Sequence, residues 1–149
     1  MKPLGGWLIE KLKSWKASFE AAINRLSSNM EKVVHFDEII SDAKGLWLSG
    51  LFGSVVGWNP NKSFYEHRII FFSMIKALLD EQVIKFCSPD DPLGRVVPYW
   101  NANSQEIVNY PEQHWPENAK AKDDDDLNFY FYEMPAILWK DESGKYMGS

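Results

Sequence analysis

The sequence predicts an α+β fold, with N-terminal helices packed on a small C-terminal antiparallel sheet. Three observations carry this expectation. Apolar residues recur at three- and four-residue steps over 7–28 and 64–81, the spacing of helices that bury one face. Ser63 and Glu66 stand three apart at the head of the second segment, the register of a capping box. Residues 127–132 alternate, with Leu127, Phe129 and Phe131 on one side and Asn128, Tyr130 and Tyr132 on the other, as in a half-buried strand.

Taken in order, Leu8, Leu12, Trp15, Phe19, Ala22 or Ile23, and Leu26 form the first stripe, and Ser27-Ser28-Asn29 breaks it. Two readings of this helix stand. It packs its stripe on the domain, or it lies on an anionic membrane, since Trp7 and Trp15 accompany Lys11, Lys13, Lys16 and Arg25. A second helix is expected over 36–49, with Asp37 placed to cap or charge its start. From Gly45 to Trp58 four glycines weaken a continuous helix, so helix ends and a tight turn are expected there. Asn59-Pro60-Asn61 is a turn, and a helix follows from Phe64 to about Glu81, lined by Phe64, Arg68, Phe71, Phe72, Ile75, Leu78 and Leu79.

Val83–Cys87 reads as a strand and Ser88–Gly94 as a loop, with Arg95–Trp100 a candidate partner strand. A short helix is expected from Gln105 to just before Pro111, and Lys120–Asp126 as a solvated loop. Ala136–Lys140 and Lys145–Met147 flank Asp141-Glu142-Ser143-Gly144, whose glycine suits the last position of a hairpin loop. The chain divides into a helical part over 1–58 and a helix-plus-sheet part over 63–149 of one domain. Leu127, Phe129, Phe131, Phe72, Ile75 and Leu79 are its expected shared core.

Composition excludes several classes. With 149 residues, 45% hydrophobic and 25% charged, the chain can bury a core without disulfides or metals. Its formal charge is −5. Residues 1–34 hold six basic and three acidic side chains, net +3, whereas 35–149 hold ten and eighteen, net −8. So acidic a body is repelled by phosphate backbones and attracts a basic partner, so no direct nucleic-acid binding is expected. Cys87 is the one cysteine, which excludes an internal disulfide and fits a reducing cytosol. The apolar run at the N-terminus stops at Glu10, short of a signal peptide, and no stretch reaches the ~20 apolar residues of a spanning helix. A cytoplasmic protein with no stable membrane insertion is the expectation.

No constellation of catalytic residues stands out. His35, His67 and His114 are scattered, and the spacing of His35, Glu38 and Asp42 is common by chance. No Gly-Lys-Ser or Gly-Lys-Thr marks a phosphate loop. Counted from Asp124 as a calcium loop, the sixth residue is Phe129 and the twelfth Pro135, where glycine and glutamate are needed. Neither a catalytic site, a metal site nor a cofactor is expected. The candidate contact residues are Asp123, Asp124, Asp125, Asp126, Tyr130, Tyr132 and Glu133. Clustered carboxylates beside tyrosines suit a basic protein surface, though a solvated loop and a tyrosine face covered by the protein's own helices give the same pattern.

The run Ala77–Phe86, then His114-Trp115-Pro116, the Asp-rich stretch and Tyr132–Gly144 with its Pro135-Ala136-Ile137-Leu138-Trp139 core resemble small bacterial immunity proteins of the contact-dependent growth inhibition type. The resemblance covers about residues 64–147. It implies an antidote that binds one cognate toxin C-terminal domain, commonly a nuclease, and occludes its active site. Such families share no catalytic motif, so the resemblance transfers no residue role. A peripheral membrane or adaptor protein acting through the basic helix 7–28 is the competing class.

Overall fold

The computed structural model describes residues 35–148, and the helix expected over 7–28 lies outside them. Helix α1 (Phe36–Ala43) buries Phe36, Ile39, Ile40 and Ala43. Asp37 and Glu38 charge its first turn, while His35 is the N-cap residue and makes no side-chain cap bond. It stops well before residue 49 because Gly45 adopts φ +83°, the left-handed conformation that ends a helix.

Helix α2 (Leu48–Trp58) runs unbroken through Gly50, Gly53 and Gly57, where a turn was expected. Three interior glycines cost about 2–3 kcal/mol of helix propensity. Leu48, Leu51, Phe52 and Val55 recur at helical spacing and are buried, each contributing about 1.5–3 kcal/mol. Burial wins. The turn that follows is held from inside: the buried Asn59 donates to the Val55 carbonyl at 3.0 Å, and the His67 ring meets the Asn59 carbonyl at 2.6 Å.

Helix α3 (Phe64–Asp80) begins with the expected capping box, Ser63 and Glu66 bonding each other's backbone N–H. Helix α4 (Ser104–Gln113) is capped by Asn103, whose side chain accepts from the Glu106 amide at 2.8 Å. It continues past Pro111 instead of ending before it. Helix α5 (Asp125–Glu133) replaces the strand expected at 127–132. Leu127, Tyr130 and Met134 are buried and Phe131 half-buried, so the segment follows steps of three and four residues. Asp125 and Asp126 occupy its first turn, where carboxylates oppose the helix dipole favourably, so the loop expected over Lys120–Asp126 holds as far as Asp124, the N-cap residue, and its last two aspartates are helical.

The sheet is antiparallel in the order β1 (Ile84–Phe86), β2 (Ile137–Lys140), β3 (Tyr146–Met147). Ile84 faces Trp139 and Phe86 faces Ile137, while Trp139 faces Met147 across the second pair. The hairpin closes as expected with Gly144 at φ +86°. Arg95–Trp100 forms no strand and gives β1 a single bond, from the Trp100 amide to the Phe86 carbonyl at 2.7 Å. Pro98 has no N–H, and the amides of Arg95, Val96 and Val97 are taken by the Asp91 carboxylate.

The described helices and strands share one apolar core, in which Phe72, Ile75, Leu79 and Leu127 sit together while Phe129 lies outside, 66% exposed. That difference separates the helix from the strand energetically. In urea denaturation, Leu127→Ala should cost about 2–5 kcal/mol, whereas Phe129→Ala should stay within ~0.5 kcal/mol. Equal losses would restore the strand register.

Candidate contact surface

The helical turn of α5 sorts the expected contact residues onto two sides. Asp125, Phe129 and Tyr132 follow one another at i, i+4 and i+7, with Asp126 and Glu133 alongside. All five are exposed, Tyr132 to 83%. Among the described residues none of the three carboxylates forms an ion pair, and none of the five side chains donates or accepts a hydrogen bond. Lys122, the nearest cation in sequence to this helix, lies instead along α2 beside Gly53.

Two of the expected residues belong elsewhere. Tyr130 is in the core, where burial pushes its phenol pKa far up, and its hydroxyl donates to the Pro111 carbonyl at 2.6 Å. That carbonyl lacks a helical partner because the Trp115 amide bonds to Glu112 instead. Tyr130 is therefore an internal strut between α4 and α5. Asp124 turns back on its own loop, its carboxylate accepting from the amides of Lys120 at 2.6 Å and Ala121 at 3.2 Å. Asp123 is exposed in the turn before the helix. The surface that remains is Asp123, Asp125, Asp126, Tyr132 and Glu133, joined by Phe129, which sequence alternation had assigned to the core.

At the C-terminal end of α5 this surface runs into a groove of about 680 Å³. Trp47, Leu93, Tyr132, Glu133, Met134 and Pro135 line it, together with the start of β2. Sequence reading missed it, since Trp47, Leu93 and α5 each stand more than thirty residues apart along the chain. The buried Cys87 sits at its base, where burial, and next the charge of Asp91, push the thiol pKa up. A nucleophilic cysteine needs the opposite shift. Among the described residues no group of three or more His, Cys, Asp or Glu side chains is gathered closely enough to hold a metal ion. His35 pairs with Glu38 at 3.9 Å, and Asp42 accepts from the Trp58 indole at 2.6 Å. No helix among the described residues is long and apolar enough to cross a membrane.

Asp91 offers a direct check on the groove's wall. The amides of Val97, Val96 and Arg95 donate to its carboxylate and hold its pKa below the ordinary 3.8. A pKa lower in the folded than in the unfolded chain means the stabilisation is complete above 3.8 and lost as pH falls through the folded value. The amide proton shifts of Val96 and Val97 should therefore titrate together with a midpoint under 3.8. A midpoint at or above that value contradicts the arrangement.

No family model and no curated protein matches the chain. A solved structure from Neisseria meningitidis, described as an uncharacterized protein conserved in bacteria, is similar with a TM-score of 0.52 and 20% identity, covering 93% of this chain and 97% of that one. At that identity the likeness shows a shared fold.

Proposed function

We propose that this chain is an immunity protein that binds a cognate secreted toxin domain and blocks it by contact, without catalysis of its own. The observation that carries the reading is the outer face of α5. Asp125, Asp126 and Glu133 stand exposed beside Phe129 and Tyr132, and among the described residues none of these side chains takes part in a hydrogen bond or ion pair. Carboxylates around exposed aromatic rings are the chemistry of a protein contact with a basic partner. The net charge of −8 over residues 35–149 adds a long-range field of the same sign. Nuclease domains hold phosphates on basic surfaces, so an acidic helix competes for the same cations. The resemblance of residues 64–147 to contact-dependent growth inhibition immunity proteins points the same way.

The test is to sequence the gene directly upstream, co-express the C-terminal domain it encodes with this chain, and measure binding across salt concentrations. The variant Asp125→Asn/Asp126→Asn/Glu133→Gln leaves Asp124 and its turn intact and touches no internal contact. Its affinity should fall by tenfold or more at low salt and its salt dependence should flatten, while its melting temperature should fall by only a few degrees, through the two charges lost from the first turn of α5. Binding and protection equal to the parent at low salt would remove α5 from the interface.

A further inference from the structure

One wall of the groove beside α5 is a loop built unlike an ordinary surface connection. Residues 88–97 are fixed by their own backbone. The Ser88 and Asp91 backbones bridge, the Gly94 amide donates to the Asp91 carbonyl at 2.9 Å, and the Asp91 carboxylate gathers the three amides described above. Gly94 takes φ +66° and sits so close to Cys87 that an added Cβ would stand 3.1 Å from its sulfur. The Ala136 amide, donating to the Pro92 carbonyl at 3.0 Å, ties the loop to the entrance of β2.

Yet the apolar side chains of this fixed loop point outward: Leu93 is 66% and Val96 86% exposed. Ordering a loop costs conformational entropy, and a loop ordered before its partner arrives does not lose that entropy on binding. The groove it borders is mostly apolar, lined by Trp47, Met134 and Pro135 as well as Leu93, and among the described residues Glu133 is the one acidic or basic residue lining it. Arg95, the loop's single cation, lies near enough to Asp91 to add to the lowering of its carboxyl pKa.

We infer that the groove between the 88–97 loop and the end of α5 takes a protein segment carrying an aliphatic or aromatic side chain next to a lysine or arginine. The apolar side chain enters against Trp47 and Leu93, and the cation faces Glu133. This deepens the toxin-binding reading and rests on it, naming the part of the partner that is grasped.

A test that needs no toxin keeps the two separable. Isotope-labelled protein is titrated with a short acetylated and amidated peptide alternating leucine with arginine, and with two controls, one with glutamate for arginine and one with serine for leucine. The leucine–arginine peptide should shift the Trp47 indole N–H and the Gly94 and Met134 amides. The glutamate control should bind at least tenfold more weakly, and the serine control should move only α5 amides. Leu93→Ser should weaken the first peptide about tenfold, and Glu133→Gln roughly two- to fivefold. Trp47→Ser, which puts a good N-cap residue at the head of α2, checks the apolar contact a second time. Groove signals that stay still at millimolar peptide, or that respond equally to arginine and glutamate peptides, overturn the inference. The pair Asp125→Asn/Asp126→Asn, which leaves Glu133 and the groove intact, tested with the toxin domain, is unaffected by either outcome.

Discussion

The fold turns on a cluster of aromatic rings around Phe52 and Trp115. Phe52 of α2 meets Phe64 and Phe71 of α3, Trp115 beyond α4, and Phe131 of α5 at centroid distances of 5.2–5.8 Å. Trp115 also touches Phe72 at 5.4 Å and Tyr130 at 5.2 Å. Three helices and the segment after α4 thus share one set of ring contacts, edge-to-face or tilted, the arrangements that aromatic quadrupoles favour. The Arg68 guanidinium lies over Trp115 at 5.4 Å and reaches Glu117 at 3.7 Å, closing the rim of the cluster.

This cluster sets the roll of α5 about its own axis, and the roll decides what the helix offers to solvent. With Leu127, Tyr130 and Phe131 turned into the core, the rest of the helix surface faces outward, and it carries Asp125, Asp126, Phe129, Tyr132 and Glu133. The Tyr130 hydroxyl adds direction to what ring contact alone leaves loose, because its bond to the Pro111 carbonyl admits only one seating of α5 against α4. The sheet is tied in separately. The Trp139 indole donates to the Leu46 carbonyl at 3.0 Å, and the Tyr146 hydroxyl donates to Gln82 at 2.7 Å, while Lys85 sits against the rings of Tyr99 and Tyr146. Trp47 and the start of β2 are thereby brought to one place, which is how the groove forms.

Much of the helical half was legible because its signals were local. The Ser63–Glu66 box, the stripe of α3 and the Gly144 hairpin each lie within a few residues of what they determine. The misreadings share a cause. Phe129-Tyr130-Phe131-Tyr132 satisfies a two-residue alternation, but Leu127, Tyr130, Phe131 and Met134 also satisfy a helical one, and residues of high β propensity tipped the choice. The preceding aspartates and the following Pro135 were the helix signals, at its start and its end. Arg95–Trp100 had the composition of a strand, but a single carboxylate four to six residues upstream claimed its amides. Residues 45–58 were judged by glycine count, while the buried spacing of Leu48, Leu51, Phe52 and Val55 carried more energy. The contact surface was half legible: its acids could be read directly, whereas the exchange of Tyr130 for Phe129 depended on the helix, and the groove on tertiary structure.

The two parts of the candidate surface differ in what they contribute to binding. Exposed carboxylates are individually weak, about 0–1 kcal/mol for a surface pair, and salt screens them over ~8 Å at physiological strength. From Asp125 to Glu133 the helix rises roughly 12 Å, so the charges at its ends repel each other little while one partner domain can feel them all. Such a face accelerates encounter and orients the approach. Slow dissociation has to come from apolar area held in a fixed shape, which the 88–97 loop and Trp47 supply. Tyr132 and Glu133 belong to both parts, about two turns from the aspartates and on the lip of the groove. On the proposed reading, a basic partner drawn in by α5 arrives with its cations already beside the groove, whose 88–97 wall is held in place by its own hydrogen bonds before contact.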